Sequence, residues 1–412
     1  MATQDIELNG HIIDSLILPR IWDTIMREGA TFQIHEIHIG ETANATSYAR
    51  MAVTSPTQEA LDALLRDLEQ LGAEIVGTPD AQSIPVEMAG ILPDDFYATT
   101  NLPTEVRIAG DWQPVSNIEM DVAIVVDRSA KTARCVPMNR VQLGDEVVVG
   151  HIGIRVHPLE RTRAREEVFS FMQNSVSSER SKALVIRDIA IEMRGARDRG
   201  GKILLVLGPA VLHTGARRYV AELIELGYVQ VIFGGNAVAA HDCEAAMFGT
   251  SLGVDLQTGD PVQDGHRHHL RAINTVRRLG SVEAAVEAGV VREGIMAAAV
   301  RHHVKVVLAG SLRDDGPMPG VITDMIVAQE TMRAALVGVE LTLMLASMLH
   351  GIATGNMLPA TVRTVVVDIN PAVVTKLADR GTTQAIGLVT DVELFLRELV
   401  DHLKQPVKKH RR

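Results

Sequence analysis

Residues 203–209 read ILLVLGP, an unbroken apolar run that ends in Gly208 and Pro209. Three further runs are equally short and are bounded by Gly, Asp or Asn: 229–233, 304–309 and 364–367. Such runs are typical of strands in a parallel sheet that is covered on both faces by crossover helices. The C-terminal half is therefore predicted to be an α/β domain, with ligands bound outside the carboxyl ends of its strands.

The N-terminal part follows a different rhythm, β-α-β-β-α-β. The predicted elements are a first strand over 11–18, a helix over 19–28, strands over 31–39 and 47–53, a helix over 57–71 and a strand over 74–76. Within 31–39, the alternation of Phe32 and Ile34 slips by one residue before Ile37 and Ile39 resume it, which indicates a bulge. The pattern predicts a ferredoxin-like α+β domain over 1–84.

Residues 85–160 change character, because short runs rich in Val and Ile are separated there by Gly, Asp and Asn. The runs are 104–108, 120–126, 133–137 and 146–154, and they predict a small β-rich subdomain. The third domain, 161–405, is the parallel-sheet α/β domain, and the basic tail 406–412 is expected to be solvated. Within the third domain, the apolar stretch 337–349 predicts a buried helix, either in the core or at a subunit contact.

The bulk composition excludes several classes of protein. A net charge of −11 argues against nonspecific binding to nucleic-acid phosphates. The two cysteines, Cys135 and Cys243, are too few for a disulfide framework or a thiolate zinc site. No basic and apolar leader opens the sequence, and the longest apolar stretch is too short to span a bilayer. We therefore expect a cytoplasmic globular protein with neither nucleic-acid nor membrane partners.

Loops that follow the predicted strands are rich in Gly, Asn, Asp and Thr. Residues 208–215 and Gly234-Gly235-Asn236-Ala237 place glycines where backbone N–H groups can approach a phosphate, although both also suit an ordinary turn. Arg313, Asp314 and Asp315 stand in a loop fixed by Gly and Pro. Two carboxylates beside an arginine suit an amine or a ribose, and the alternative is a solvated turn.

Two acids at strand ends extend this pattern. Asp368 ends the run 364–367, and Asp391 follows a second apolar run. An acid at such a position commonly binds the adenosine ribose hydroxyls and disfavours a 2′-phosphate, which indicates NAD rather than NADP. A single Asp at a strand end is, however, more often a helix cap. The segment 354–359, TGNMLP, is a fourth candidate loop.

A histidine cluster and a cysteine each suggest a specialised site, and each also has a simpler interpretation. His266, His268 and His269 are spaced so that they could converge in a loop, but no HExxH pattern is present and no metal is predicted. Cys243 stands among alanines in an apparent helix and is predicted to be a packed, inert thiol.

Several of these segments resemble a known family. Residues 11–23 and Ser47-Tyr48-Ala49-Arg50 resemble the lysine-oxoglutarate reductase/saccharopine dehydrogenase bifunctional region. The loops 234–237, 311–317 and 353–359 look like those of archaeal-type ornithine cyclodeaminase. A similar module forms the C-terminal part of cyanobacterial bifunctional arginine dihydrolase/ornithine cyclodeaminase proteins, and the resemblance runs over nearly the whole chain. Without the long arginine-dihydrolase extension, guanidine chemistry is not expected.

The resemblance implies a deoxyhypusine synthase-like NAD-binding domain, which agrees with the missing GxGxxG fingerprint. It implies NAD contacts at Asn236, Ala237, Asp315, Thr354, Gly355, Asn356, Met357, Leu358, Asp368, Asp391 and Val392. It further implies conversion of L-ornithine to L-proline and ammonia, and we also expect a homo-oligomer.

The implied reaction would move a hydride from Cα of ornithine to NAD, close the ring through the δ-amine with loss of ammonia, and return the hydride. Ring closure is favoured because both reacting groups belong to one molecule. We assign Asp314 and Asp315 to holding or deprotonating an amine and Arg313 to the substrate carboxylate. Another NAD-dependent enzyme acting on a basic amino acid, or a regulatory protein that binds NAD or an amino acid, remains open.

Overall fold

The computed structural model describes residues 1–42, 45–158, 182–256, 258, 260–263, 265–312, 314, 316–378 and 385–405. The predicted boundary at 160/161, the basic tail 406–412, Arg313 and Asp315 lie outside these described residues. The chain divides into two compact units. The first takes in the described residues up to 158 together with Asn356–Thr361, and the second takes in the rest.

The first unit begins with the predicted ferredoxin-like α+β domain. Its elements are β1 (Ala2–Gly10), α1 (Ile17–Arg27), β2 (Thr31–His38), β3 (Ser47–Ser55), α2 (Gln58–Gln70) and β4 (Glu74–Ile75). The antiparallel sheet has the order β2-β3-β1-β4. Leu61, Leu64, Leu65 and Leu68 of α2 pack into its core, and a register shift between Ile34 and Glu36 confirms the predicted bulge.

The predicted first strand at 11–18 is wrong, since β1 lies at Ala2–Gly10. Ile6 and Leu8 in β1 are buried in alternation with more exposed residues, as a strand on one face of a sheet requires. The segment after β1 is a turn, in which the N–H of Ser15 donates to the carbonyl of His11 at 2.9 Å. Adjacent apolar residues there reflect packing of this turn rather than a strand.

The β-rich part of the first unit contains seven strands. They are β5 (Gln82–Pro85), β6 (Thr104–Ile108), β7 (Asp111–Ser116), β8 (Ala123–Asp127), β9 (Thr132–Val136), β10 (Glu146–Val149) and β11 (Ile154–Val156). They form one sheet of order β11-β6-β7-β9-β8-β10-β5. The predicted run 146–154 is two strands, because Gly150 and Gly153 both adopt positive φ between them.

The second unit alternates helices and parallel strands. Its first half contains α3 (Lys182–Asp198), β12 (Lys202–Leu207), α4 (Ala210–His213), α5 (Arg217–Glu225), β13 (Val231–Gly235), α6 (Asn236–Phe248), β14 (Thr250–Ser251), β15 (Val254–Asp255), α7 (His268–Leu279), α8 (Val282–Glu287) and α9 (Ile295–Arg301). Its second half contains β16 (Lys305–Ala309), β17 (Val321–Ile322), α10 (Met325–Ala335), β18 (Val339–Leu345), α11 (Leu349–Met357), β19 (Arg363–Asp368), α12 (Pro371–Ala378), β20 (Ala385–Val389) and α13 (Val392–Lys404).

The large sheet has the order β17-β16-β13-β12-β18-β19-β20, and all its pairings are parallel. All four predicted strands of this domain are confirmed as β12, β13, β16 and β19. Apart from the edge strand β17, the order is that of a doubly wound sheet whose direction of progression reverses between β12 and β18. Ligands of such sheets bind at this switch point.

Two predictions in this unit are wrong. The stretch 337–349 is not a helix, because most of it forms the central strand β18. A strand buried on both faces gives a continuous apolar run that cannot be told from a buried helix by periodicity. The segment 354–359 is not a loop, because α11 extends to Met357. Gly351 lets this helix pack closely against Leu377 and Met344. In the part of the chain that the structure describes, no helix is both long and apolar enough to cross a membrane.

Candidate functional site

The carboxyl edge of the parallel sheet gathers most of the loops predicted to bind a ligand. Leu207, at the end of β12, pairs with Leu345 at the end of β18, and Leu345 pairs with Val367 of β19. On the other side of β12, Gly235 pairs with Ala309. The loops after β12, β13, β16, β18, β19 and β20 therefore leave the sheet at one edge, as the sequence analysis expected.

Two glycines let these loops crowd together beside the end of β12. A Cβ added to Gly208 would lie 1.6 Å from the carbonyl oxygen of Ala346, so no side chain fits there. A Cβ added to Gly235 would lie 3.2 Å from Cε1 of His350. Gly235 precedes α6 and His350 is the second residue of α11, so the first turns of these two helices lie close to each other. Free N–H groups and positive dipole ends at both favour an anion such as a diphosphate.

Asn236, the first residue of α6, links two of these loops. It is buried, and its side-chain oxygen accepts a hydrogen bond of 2.9 Å from the backbone N–H of Met318, in the loop after β16. Ala237 follows it and is half-buried. The structure thus brings Asn236 and Ala237 to the sheet edge, while their contact with a cofactor stays a prediction.

Asp314 is held in a fixed orientation within the loop after β16. Its carboxylate accepts hydrogen bonds from the backbone N–H of Ser311 at 2.8 Å and from the Ser311 hydroxyl at 2.7 Å. The same carboxylate approaches Gly310, where an added Cβ would lie 3.3 Å from Oδ2. The roles of Arg313 and Asp315, which stand outside the described residues, stay predictions.

The two acids at strand ends are bound differently. Asp368 is the last residue of β19, and its Oδ1 accepts a hydrogen bond of 2.8 Å from the N–H of Asn370. Asp391 caps α13, because its Oδ1 accepts from the N–H groups of Glu393 at 2.8 Å and Leu394 at 3.1 Å. Val392 starts α13 and is buried. The structure accounts for Asp391 as a helix cap, and ribose binding by either acid stays a prediction.

The predicted residues 354–358 lie along α11 and just beyond it. Thr354 is buried, and its hydroxyl donates to the carbonyl of His350 at 2.7 Å. Met357 and Leu358 are also buried, and the carbonyl of Asn356 accepts from the N–H of Met120 at 3.1 Å. These residues lie more than one helical turn after the start of α11 and not at its N-terminal end. Their contacts with a cofactor stay a prediction. Gly355, between them, is half-buried.

His350 is a candidate that the sequence analysis missed. The Ala309 carbonyl and the charge of Asp314 both act on its ring. Burial lowers the pKa of His350, and this outweighs the raising effects of the Ala309 carbonyl and of Asp314. The ring is therefore neutral at neutral pH, which is the form that accepts a proton. If residues 339–345 had been predicted as a strand, His350 would have been identified as a residue of the segment that follows a strand end.

A buried hydrogen-bond network lies beside α6. The Glu244 carboxylate accepts from the Thr250 hydroxyl at 2.9 Å and lies 2.8 Å from Nδ1 of His241. Burial raises the pKa of Glu244, but hydrogen bonds from His241, Gly253 and Thr250 outweigh it and lower that pKa. His268 lies 2.9 Å from the same Thr250 hydroxyl. Among the described residues, no group of three or more His, Cys, Asp or Glu side chains is arranged to hold a metal ion.

Cys243 lies in the middle of α6 and is fully buried. Burial raises the pKa of its thiol, with the neighbouring Asp242 carboxylate adding to the effect. A thiol held in its neutral form is a poor nucleophile. The prediction of a packed thiol is confirmed, and the raised pKa agrees with the prediction that it is inert.

Comparison with known proteins covers the chain almost end to end. The LOR/SDH bifunctional enzyme conserved region matches residues 3–102. Two C-terminal regions of ArgZ-like arginine dihydrolases follow: the first region matches 103–186 and the Rossmann fold matches 187–399. Ornithine cyclodeaminase of Methanothermobacter thermautotrophicus is 50% identical over 405 residues, which cover 98% of both chains. That of Methanopyrus kandleri is 51% identical over 400 residues and 97% of both chains.

The chain belongs to the archaeal-type ornithine cyclodeaminase family. The bifunctional arginine dihydrolase/ornithine cyclodeaminase AgrE of Nostoc is 46% identical over 97% of this chain and 58% of AgrE. This family member therefore spans little more than half the length of the cyanobacterial protein, and nearly the full length of its archaeal relatives.

Solved structures of the family agree. The apo structure of the cyanobacterial arginine dihydrolase ArgZ is 41% identical, with a TM-score of 0.83 over 98% of this chain and 58% of ArgZ. A LOR/SDH protein from Methanococcus maripaludis is 47% identical, with a TM-score of 0.74 over 79% of this chain and 98% of that one. AgrE in a ternary complex with ornithine and NAD+ is 44% identical, with a TM-score of 0.53 over 98% of this chain and 57% of AgrE.

Proposed function

We propose that this protein is an NAD-dependent ornithine cyclodeaminase that converts L-ornithine to L-proline and ammonia. The convergence of the first turns of α6 and α11 beside the end of β12 carries the proposal. Membership of the family adds to it, because relatives of nearly equal length bear the name ornithine cyclodeaminase. The complex of AgrE with ornithine and NAD+ supports the choice of cofactor and substrate.

The residues at the sheet edge fit a dinucleotide. The N–H groups at the start of α6, beginning at Asn236 and Ala237, suit the diphosphate, as does the start of α11. The Asp368 carboxylate already accepts one hydrogen bond at Oδ1 and suits the ribose hydroxyls. We keep Asp315, the segment 354–358 and the start of α13 as further proposed contacts. When bound, NAD+ would accept the hydride from Cα of ornithine and return it after the ring has closed.

The protein's own groups would bind the substrate and move its protons. Asp314, fixed by Ser311, is suited to hold an ammonium group near the end of β16. Arg313 is proposed to bind the substrate carboxylate. His350 is neutral at neutral pH and within the electrostatic influence of Asp314, so it is suited to take the proton from the amine before that amine reacts.

The site also has to exclude water, because a free imine would otherwise hydrolyse to a keto acid. The loop after β16 lies close over this edge, since Asn236 holds Met318 against the start of α6. A loop held in this way keeps water away from the imine during ring closure. If the loop were loose, water would enter and hydrolyse the imine to ammonia and a keto acid.

The proposal is tested by incubating the full-length protein with L-ornithine and catalytic amounts of NAD+. The expected products are proline and ammonia in equal amounts, with no net gain of absorbance from NADH. Conversion of the added NAD+ to NADH, with no proline formed and the reaction then stopping, would instead identify a simple amino-acid dehydrogenase. Tight NAD+ binding with no turnover of ornithine would overturn the enzyme assignment.

A further inference from the structure

A groove in the first unit contains an acid that the proposed reaction does not use. The groove holds about 600 Å³ and is lined by α2, by the segment 94–98 and by the residues that follow β10. Glu69 of α2 lines it, although only 6% of that residue's surface is exposed. Burial and the Arg66 charge act on the pKa of the Glu69 carboxyl, and no hydrogen bond from the described residues adds to them. A carboxyl that is largely withdrawn from water and accepts no hydrogen bond is costly to ionise.

The surroundings of Glu69 define what it can bind. Asp94 and Asp95 add two carboxylates at the rim of the groove. Arg66 lies one helical turn before Glu69 on α2 and lines the same groove. Its Nε donates to Nδ1 of His151 at 3.3 Å, and burial with the Arg66 charge lowers the pKa of His151, so this histidine adds no second cation.

Apolar side chains form the rest of the wall. Val149 and Ile152 also line the groove. Tyr97 is anchored by its backbone N–H, which donates to the carbonyl of Val148 at 3.0 Å. The described lining of the groove therefore offers several acids, one arginine and apolar surface. A ligand with two ammonium groups, one carboxylate and a short methylene chain complements this arrangement.

We propose that this groove binds a free cationic α-amino acid, with Glu69 receiving an ammonium group and Arg66 receiving the carboxylate. The site lies entirely within the first unit, and the proposal goes beyond the proposed function without depending on it. A basic amino acid is net positive, and the groove is net negative once Glu69 ionises. Either end of the ligand then has a partner of opposite charge.

The protonation state of Glu69 gives the proposal a distinctive signature. Burial raises the pKa of Glu69 to about 9, although the Arg66 charge lowers it somewhat. The empty groove therefore holds a protonated acid near neutral pH, and a bound ammonium group would make it release that proton. Tyr97, whose pKa burial and the Glu69 charge raise to about 12, stays protonated throughout.

Hydrogen–deuterium exchange on the full-length protein, with L-ornithine added and NAD+ omitted, locates the binding. We expect slower exchange in the segments 94–98 and 149–152 in the wild-type protein. Glu69→Gln should abolish this protection, and Gln keeps the size and neutrality of the protonated acid, so the fold is retained. Glu59→Gln, on an exposed part of the same helix, is the matched control and should keep it. Unchanged protection in Glu69→Gln, or no protection in the wild type, overturns the proposal.

Titration calorimetry in two buffers of different ionisation enthalpy tests the protonation step and the ligand class. At pH 7.5 we expect nearly one proton released per L-ornithine bound to the groove. L-Norvaline, which lacks the δ-ammonium group, should bind at least tenfold more weakly, about 1.4 kcal/mol. Binding without proton release, or equal affinity for norvaline, contradicts the assignment. The NAD+ affinity and turnover of the wild-type protein, measured separately, test the proposed function by itself.

Discussion

The side-chain oxygen of Asn236 lies 2.9 Å from the backbone nitrogen of Met318 and accepts its hydrogen bond. The two residues belong to different loops of the sheet edge, one at the start of α6 and the other after β16. This hydrogen bond, together with burial of Met318 in an apolar cluster that includes Ala239 and Ala240 of α6, holds the loop that carries Asp314 against the helix end proposed to bind the diphosphate.

Asn236→Ala should weaken NAD+ binding about tenfold or more, because it frees the loop and leaves the N–H of Met318 unpaired. Binding is measured by fluorescence titration or calorimetry. Asn274→Ala, at an exposed position on α7, serves as control and should leave the affinity unchanged. Equal NAD+ affinity in the wild type and in Asn236→Ala would show that this loop does not contribute to the cofactor site.

Asp368→Asn should reduce the preference for NAD+ over NADP+ about tenfold, since the carboxylate that bonds the ribose and repels a 2′-phosphate is lost. The measurement is the ratio of dissociation constants for the two cofactors. Asp391→Ala provides the contrast: loss of the α13 cap should cost about 1 kcal/mol of stability with the cofactor ratio unchanged. A change of ratio in Asp391→Ala but not in Asp368→Asn would exchange the two roles.

His350→Gln should lower kcat about a hundredfold while NAD+ affinity changes little, because the variant lacks a proton acceptor beside Asp314. Since the pKa of His350 is lowered, the neutral base persists below the usual histidine value of 6.5. The kcat/KM of the wild type should therefore fall only at pH values below 6.5, and this acid limb should vanish in the variant. His302→Gln, exposed after α9, is the control. An unaltered pH profile in His350→Gln would exclude this role.

Glu69→Gln should make the protein more stable at neutral and alkaline pH than the wild type. The pKa of Glu69 is raised from 4.5 to about 9, so the stability associated with the protonated acid is complete below pH 4.5 and is lost as pH rises towards 9. At pH 7 the difference in free energy of unfolding should reach about 3 kcal/mol. Denaturant unfolding at pH 4.5 and pH 7 measures it, and a gap that does not widen with pH would show that Glu69 ionises normally.

The sequence predicted the fold well where one face of an element is exposed and less well where both faces are buried. The spacing of Leu61, Leu64, Leu65 and Leu68 indicated α2 because only one side of that helix meets the core. The strand β18 is buried on both faces, so its sequence is apolar at nearly every position and shows no alternation of apolar and polar residues. It was therefore predicted as a helix. That error also concealed the position of His350 at a strand end.

The candidate site was predictable only in part for a similar reason. Asn236 follows β13, Asp314 lies in the loop after β16 and Asp368 ends β19, and local sequence shows these positions. The closeness of Gly235 to His350 depends instead on a contact between residues more than a hundred positions apart. Local patterns contain no information about such pairs. For Asp391 the local sequence was visible but ambiguous. An Asp between a strand and a helix fits both a helix cap and a ribose ligand, and the structure shows the cap.

The most direct test of the central claim follows the hydrogen on Cα. L-[2-²H]ornithine is incubated with the protein and unlabelled NAD+, and the proline formed is analysed by mass spectrometry and NMR. Because one cofactor molecule would take and return the same hydrogen within a closed site, the deuterium should be retained at C2 of proline. Proline that has lost the deuterium to solvent, or deuterium left in accumulated NADH with no proline formed, would contradict the account.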